Sequence, residues 1–114
     1  MKYLINIPNI SSKEHNYVND VIKKNWLSSN GEHNKIAQKK FCKLVKRKYS
    51  VTVQSGTAAL HVILKAINTK PNDKIIIPNY SCSANISSVA MCNATALVVE
   101  VEKETLGLSY DFVK

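Results

Sequence analysis

The order of elements written into this chain predicts an α/β fold with a mostly parallel sheet and flanking helices. Three observations carry that expectation. Lys74-Ile-Ile-Ile-Pro78 is a continuous apolar run of strand length, fitting a strand buried on both faces. Ala94 to Glu102, with Leu97, Val98 and Val99 at its centre, reads as a second strand. Around and between them lie stretches with helical spacing, and strands alternating with helices call for right-handed βαβ units.

Ile5, Ile7 and Ile10 surround Pro8 in an extended opening segment. Ser11-Ser-Lys-Glu14 then sets a serine three residues before a glutamate, the capping-box pattern. A first helix follows to about Lys24, with Tyr17, Val18, Val21 and Ile22 on its buried side. Asn25 to Gly31 is a polar loop holding the single tryptophan, Trp26. A second helix is expected from about His33 to Arg47, with Ala37, Phe41, Leu44 and Val45 on one face and Lys39, Lys43, Lys46 and Arg47 on the other.

Val51 to Val53 has the β-branched composition of a short strand. Ser55-Gly56-Thr57 turns the chain into a third helix, on which Leu60, Ile63, Leu64 and Ile67 form one apolar stripe. Lys70-Pro-Asn-Asp73 breaks that helix. After the Lys74 strand, Asn79 to Ser83 is a polar loop and Ala84 to Met91 a short helix, which Asn93 can end in the left-handed conformation. Thr105 to Leu108 is a loop, and Ser109-Tyr-Asp111 opens one more helix.

Length and composition narrow the classes. The 114 residues, 45% apolar and 21% charged, suit one small globular domain. No apolar run is long enough to span a bilayer, and Met1 to Asn6 lacks the apolar centre of a secretory signal. Cys42, Cys82 and Cys92 form no C-x-x-C pair, so they read as reduced thiols of a cytoplasmic protein, with neither disulfides nor a metal site. His15, His33 and His61 lack metal-ligand spacing and read as surface or packing residues. The net charge of +8 favours anionic partners, yet the basic helix reads first as a solvated face. With no aromatic residue interleaved on that face, nucleic acid is not the expected partner.

The turn at Gly56, Thr57 and Ala58 carries the main functional expectation. A small-residue turn opening a helix leaves backbone N–H groups without partners, and those donors with the helix dipole suit a phosphate. An ordinary connection capped by Ser55 or Thr57 is the competing reading. In parallel sheets ligands gather beyond the carboxyl ends of the strands. The loops Gln54–Thr57 and Asn79–Ser83 both leave strand ends, so a phosphate and a planar ring could share the crevice between them.

The motifs taken together resemble the DegT/StrS-type pyridoxal-phosphate-dependent sugar-nucleotide aminotransferases, perosamine-synthase-like members above all. The resemblance runs through Ile7-Pro8, Asn25-Trp-Leu-Ser-Ser-Asn-Gly31, Ser55-Gly-Thr-Ala-Ala-Leu60, Asp73-Lys-Ile-Ile-Ile-Pro78 and Asn93 to Thr105. It implies the N-terminal portion of the aspartate-aminotransferase-type (fold type I) large domain, working as a homodimer or with a complementing chain. It implies that Gly56, Thr57 and Ala58 hold the phosphate of pyridoxal 5'-phosphate and that Cys82 lies against the pyridine ring. Trp26, Ser28 and Ser29 would then stand at the sugar-nucleotide end, unless Trp26 simply covers the core. Residues 1–32 become an N-terminal helix and substrate-side loop, and 33–114 an incomplete large domain.

Departures from the family pattern are specific. Cys82 stands where a bulkier side chain is usual, Gln38 where Glu is usual, Asn72 and Asn93 where Gly is usual, and Glu100 where Asp is usual. The Schiff-base lysine and the acidic partner of the pyridine nitrogen fall beyond Lys114 in the family pattern, and none of the lysines here matches that catalytic position. The family reaction moves an amino group from glutamate to a 4-keto-6-deoxy nucleotide sugar. A chain of this length is expected to be truncated and inactive alone. The rival expectation is a small basic nucleotide- or nucleic-acid-binding module without catalysis.

Overall fold

The computed structural model describes residues 7–114; the expectations placed on Ile5 and on Met1 to Asn6 lie outside them. Two compact units are formed, Met1–Thr52 and Val53–Lys114.

In the first unit α1 spans Ser12–Lys23 and α2 spans Glu32–Leu44. The capping box forms as the spacing requires: Lys13 N donates to Ser11 Oγ at 3.2 Å and Ser11 N donates to Glu14 at 2.7 Å. The Ser11 hydroxyl, which donates to the same carboxylate, and then the Ser11 amide hold the Glu14 carboxyl below its usual pKa. One acidic residue ties the two helices together. Asp20 accepts from Lys24 Nζ and from His33 Nε2, each at 3.0 Å, and the Tyr17 ring meets His33 edge-on at 5.5 Å.

The expected buried faces are not buried. Tyr17, Val18 and Ile22 are exposed on α1, leaving only Val21 half-buried. Ala37, Phe41, Leu44 and Val45 are likewise exposed. Beyond the contacts around Asp20 and His33, α1 and α2 barely touch, so neither covers the other's apolar face.

In the second unit α3 spans Gly56–Ala66, β1 Lys74–Pro78, α4 Ala84–Ala90, β2 Thr95–Val99 and α5 Tyr110–Val113. β1 and β2 pair in parallel with Lys74 opposite Thr95 and Pro78 opposite Val99, so β1, α4 and β2 make one βαβ unit. α4 packs on both strands and on α3. Its Ser88 and Val89, with Cys92 just beyond, are almost fully enclosed, and Ile77 of β1 completes the core.

Three strand expectations need correcting. Val51 to Val53 is extended but has no ladder partner among the described residues, and Val51 is 75% exposed. Composition supplies strand propensity; a strand also needs a neighbour. β1 is covered on one face only, since Ile76 stays 38% exposed beside buried Ile77. β2 stops at Val99 because Val101 instead bridges antiparallel to Leu108, around a turn in which Leu106 N donates to Glu102 O at 3.0 Å.

All four longer helices end alike. Asn25, Lys46, Asn68 and Asn93 take positive φ values of 51°, 52°, 65° and 56°. The following amide reaches back five residues in each case: Trp26 to Val21, Arg47 to Cys42, Thr69 to Leu64 and Ala94 to Val89. Lys46 ends α2 three residues earlier than the periodicity predicts. Asn72, at φ 69°, also occupies the left-handed region that its family counterpart enters as glycine.

Asparagine tolerates that region and lysine does not. Lys46→Gly should therefore stabilise the helical first unit by about 0.5–1 kcal/mol, read from urea unfolding followed by circular dichroism. The Asp20 contacts give a pH dependence. Hydrogen bonds from Lys24 first and His33 second hold its carboxyl below the usual range. Its contribution is thus complete above the unfolded carboxylate pKa and lost as pH falls through the lower folded value. The Tyr17–His33 NMR contact should weaken on acidification through that window, and Asp20→Asn should weaken it already at neutral pH.

Candidate functional site

The start of α3 is a set of open donors. Ser55 is extended (φ −159°, ψ 162°) and its Oγ accepts from Ala58 N at 3.2 Å, while its carbonyl accepts from Ala59 N at 3.0 Å. Within the described residues the amides of Gly56 and Thr57 have no protein acceptor. The Ser55 cap is formed: of the three expected donors the Ala58 amide is engaged by Ser55, and those of Gly56 and Thr57 are left without an acceptor.

Gly56 is not there for backbone strain, because no glycine has positive φ. Nor is it there for packing, since a Cβ added at Gly56 would meet nothing within 4 Å. That open space lies directly beside the free amides at the positive end of an 11-residue helix. Backbone donors so placed suit an oxyanion, and Thr57 is half-buried beside them.

The Asn79–Ser83 loop leaves the carboxyl end of β1 and leads into α4. Asn79 N continues the ladder to Val99 O at 2.8 Å, and its side chain donates to Glu100 Oε1 at 2.8 Å. This clamp joins the carboxyl ends of the two strands. The register places the pair: with Pro78 opposite Val99, the next residues are Asn79 and Glu100. Cys82 is an exposed free thiol whose carbonyl accepts from Asn85 N at 3.2 Å, and Asn85 Nδ2 donates to Ser81 Oγ at 2.6 Å. The Gly56 turn and the Cys82 loop belong to the same unit, since one opens α3, the other opens α4, and those helices pack together. The expectation that both loops leave strand ends holds only for the second, because Val51–Val53 is unpaired.

Trp26, Ser28 and Ser29 lie in the first unit. Trp26 Nε1 donates to Ser28 Oγ at 3.1 Å, and Asn30 N donates to the same oxygen at 3.2 Å. Asn34 Nδ2 donates to Ser29 O at 2.9 Å. Trp26 is 55% exposed, so it does not seal a core. Its indole edge lies where a Cβ on buried Gly31 would come, at 3.2 Å, which fixes the ring against the loop. A concavity of 350 Å³ opens there, lined by Trp26, Leu27 and Ser28 with Lys24, Glu32 and His33. No group of three His, Cys, Asp or Glu residues suited to a metal occurs among the described residues.

With that geometry in hand, comparison with known proteins is decisive. The profile of the DegT/DnrJ/EryC1/StrS aminotransferase family matches residues 8–114. The chain belongs to that family. A GDP-perosamine synthase of Vibrio cholerae is 32% identical over 107 residues, covering 94% of this chain and 29% of that relative. The backbone is similar to that of a Streptococcus pneumoniae protein described as a sugar aminotransferase, solved in its PMP form. That match has 26% identity and a TM-score of 0.84, covering 93% of this chain and 26% of the other. It is similar too, in fold, to Escherichia coli GDP-4-keto-6-deoxy-D-mannose-3-dehydratase with bound hydrated PLP. Here identity is 22% and TM-score 0.85, with 96% of this chain and 30% of that one covered. The fold is therefore the N-terminal portion of the fold type I large domain. The chain spans about 29% of the length of the curated relative.

The Ser55 cap is separable from the open amides. Ser55→Ala should lower stability by about 1 kcal/mol through the loss of the Ala58 partner. Thermal unfolding of the second unit, followed by the amide NMR signals of α3, checks it.

Proposed function

We propose that this chain supplies the phosphate-holding part of a pyridoxal-phosphate-dependent sugar-nucleotide aminotransferase, one that moves an amino group from glutamate to a 4-keto-6-deoxy nucleotide sugar. The observation that carries the reading is the pair of amides at Gly56 and Thr57, which have no acceptor among the described residues and stand at the start of α3 beside open space. Family membership adds the kind of ligand, because the relatives and structural neighbours are named for nucleotide-sugar chemistry and for PLP or PMP forms.

When bound, pyridoxal phosphate supplies the electron sink that amino-group transfer requires. The chain's own part is to hold and to exclude. Gly56 and Thr57 would bind the phosphate oxygens, with Ala58 contributing as far as the Ser55 cap releases its amide. Cys82 would face the ring, offering a thiol contact in place of an aromatic stack. Ser28 Oγ already accepts two hydrogen bonds, so towards a sugar nucleotide it would act as a donor. Trp26 and Ser29 would complete that substrate-side wall, residues 1–32 serving the sugar nucleotide and residues 33–114 the cofactor.

In this reading the cofactor-bearing lysine comes from polypeptide outside these 114 residues, such as a complementing chain, and a homodimer of these residues alone gives no turnover. Three free cysteines and a sugar-nucleotide substrate fit a cytoplasmic enzyme.

Pyridoxamine 5'-phosphate cannot condense with lysines and so tests the phosphate cradle directly. Phosphorus NMR should show it binding the chain, with pyridoxamine lacking the phosphate failing to compete. Gly56→Val should weaken binding at least tenfold with helix content unchanged, because the new side chain fills the space beside the amides. Equal binding by wild type and Gly56→Val would overturn the reading.

A further inference from the structure

We propose that α2 and the segment after it form a second anion site, distinct from the Gly56 turn, which takes the backbone of a single-stranded nucleic acid and stacks one base on Tyr49. The charge of the chain is confined to one unit. Residues 1–52 hold eleven Lys or Arg and three Asp or Glu, whereas residues 53–114 hold five of each, so the net +8 belongs to the first unit. From His33 to Asn72 there is no acidic residue at all.

The lysines on α2 are not spread evenly. Lys35, Lys39 and Lys43 recur every fourth residue, which places them along one line with a rise of roughly 6 Å per step. They line an open groove of 520 Å³ whose other wall carries Lys48, Tyr49 and Ser50. None of these four lysines is ion-paired among the described residues. The groove is held in shape: Ser50 Oγ donates to Gln38 O at 2.9 Å and Gln38 Nε2 to Thr52 Oγ1 at 3.3 Å, fixing the second wall against the helix.

Lys43 and Lys48, near the carboxyl end of α2, also complement the helix dipole. Lys35, in its first turn, and Lys39, at its middle, do not, so helix stability does not account for the whole line. The length of the stripe selects the ligand. Roughly 12 Å separates Lys35 from Lys43, more than the two adjoining phosphates of a nucleoside diphosphate can follow, and a run of phosphates fits it. The aromatic residue that α2 itself lacks comes from outside the helix. Tyr49 is 77% exposed at the groove, and Lys48 Nζ lies 5.2 Å from its ring centroid. A positive track with an exposed ring is the arrangement that binds single strands without reading sequence.

Fluorescence anisotropy of a labelled twelve-nucleotide oligouridylate tests this on the chain. Binding should weaken with salt at a slope of about −3, from four lysines at roughly −0.7 each. The double variant Lys39→Ala/Lys43→Ala should lose at least fivefold in affinity and flatten that slope by about 1. Lys13→Ala/Lys23→Ala, which removes the same charge from α1, should change affinity less than twofold. Tyr49→Ala should weaken the oligonucleotide about threefold and leave binding of inorganic polyphosphate unchanged. Equal losses from the two lysine pairs would show attraction by net charge alone and overturn the site, as would no binding at 50 mM salt. Binding of an acidic peptide with the same lysine dependence, and no effect of Tyr49→Ala on the oligonucleotide, would overturn the choice of ligand.

Discussion

Burial of one side of α4 is the constraint on which the second unit depends. A seven-residue helix has too few backbone bonds to form in isolation, so it exists because it is packed. Ser88, Val89 and Cys92 fill the space between α3 and the strand pair almost completely. A serine at such a place needs its hydroxyl satisfied, and Ser88 Oγ donates to Asn85 O at 2.9 Å. The same helix carries the crossover that makes β1 and β2 parallel. Remove that packing and α3 has no seat, the Asn79–Glu100 clamp has no paired strand ends, and the open amides at Gly56 lose their fixed place.

What could be read in advance was local. Ser11 and Glu14 announced the first helix start because a capping box involves four consecutive residues and nothing else. Asn93 announced a helix end because only few side chains tolerate its φ of 56°. The two strands were legible as dense apolar runs. Burial was not legible, since whether Phe41 or Ile76 is covered depends on what lies across from it. Periodicity names a face; it does not name the partner. Val51 to Val53 failed for the same reason, as strand propensity without a neighbouring edge leaves only an extended segment.

The candidate site divides along that line as well. The Gly56 turn was visible as a small-residue turn opening a helix, and its competing reading as a Ser55 cap was visible too. Only coordinates show that one amide is taken and two are free. The indole of Trp26 gave no sequence sign that Ser28 would accept its N–H, which makes the pair one unit. Helical spacing on α2 gives no sign of Tyr49, which lies beyond the end of that helix; the fold brings it to the groove. Family resemblance rested on a different kind of signal, the order of several short motifs, and that signal covers nearly the whole chain.

The two proposed anion sites rest on different physics. The turn at Gly56 lies in a unit with no net charge, so its attraction for a phosphate comes from aligned amides and a helix dipole at contact distance. Such a site discriminates by shape, falls off within a turn of helix and is little altered by salt screening once the ligand excludes water. The lysine groove on α2 lies in the unit that carries the entire excess of charge. Its attraction reaches out to a Debye length, about 10 Å at 0.1 M salt, and fades as salt rises. A chain that relied on lysines at both places could not separate a small phosphate ester from a polyanion. On the two proposals, a phosphate ester held by backbone donors in the neutral unit and a polyanion held by cations in the basic one would respond differently to salt.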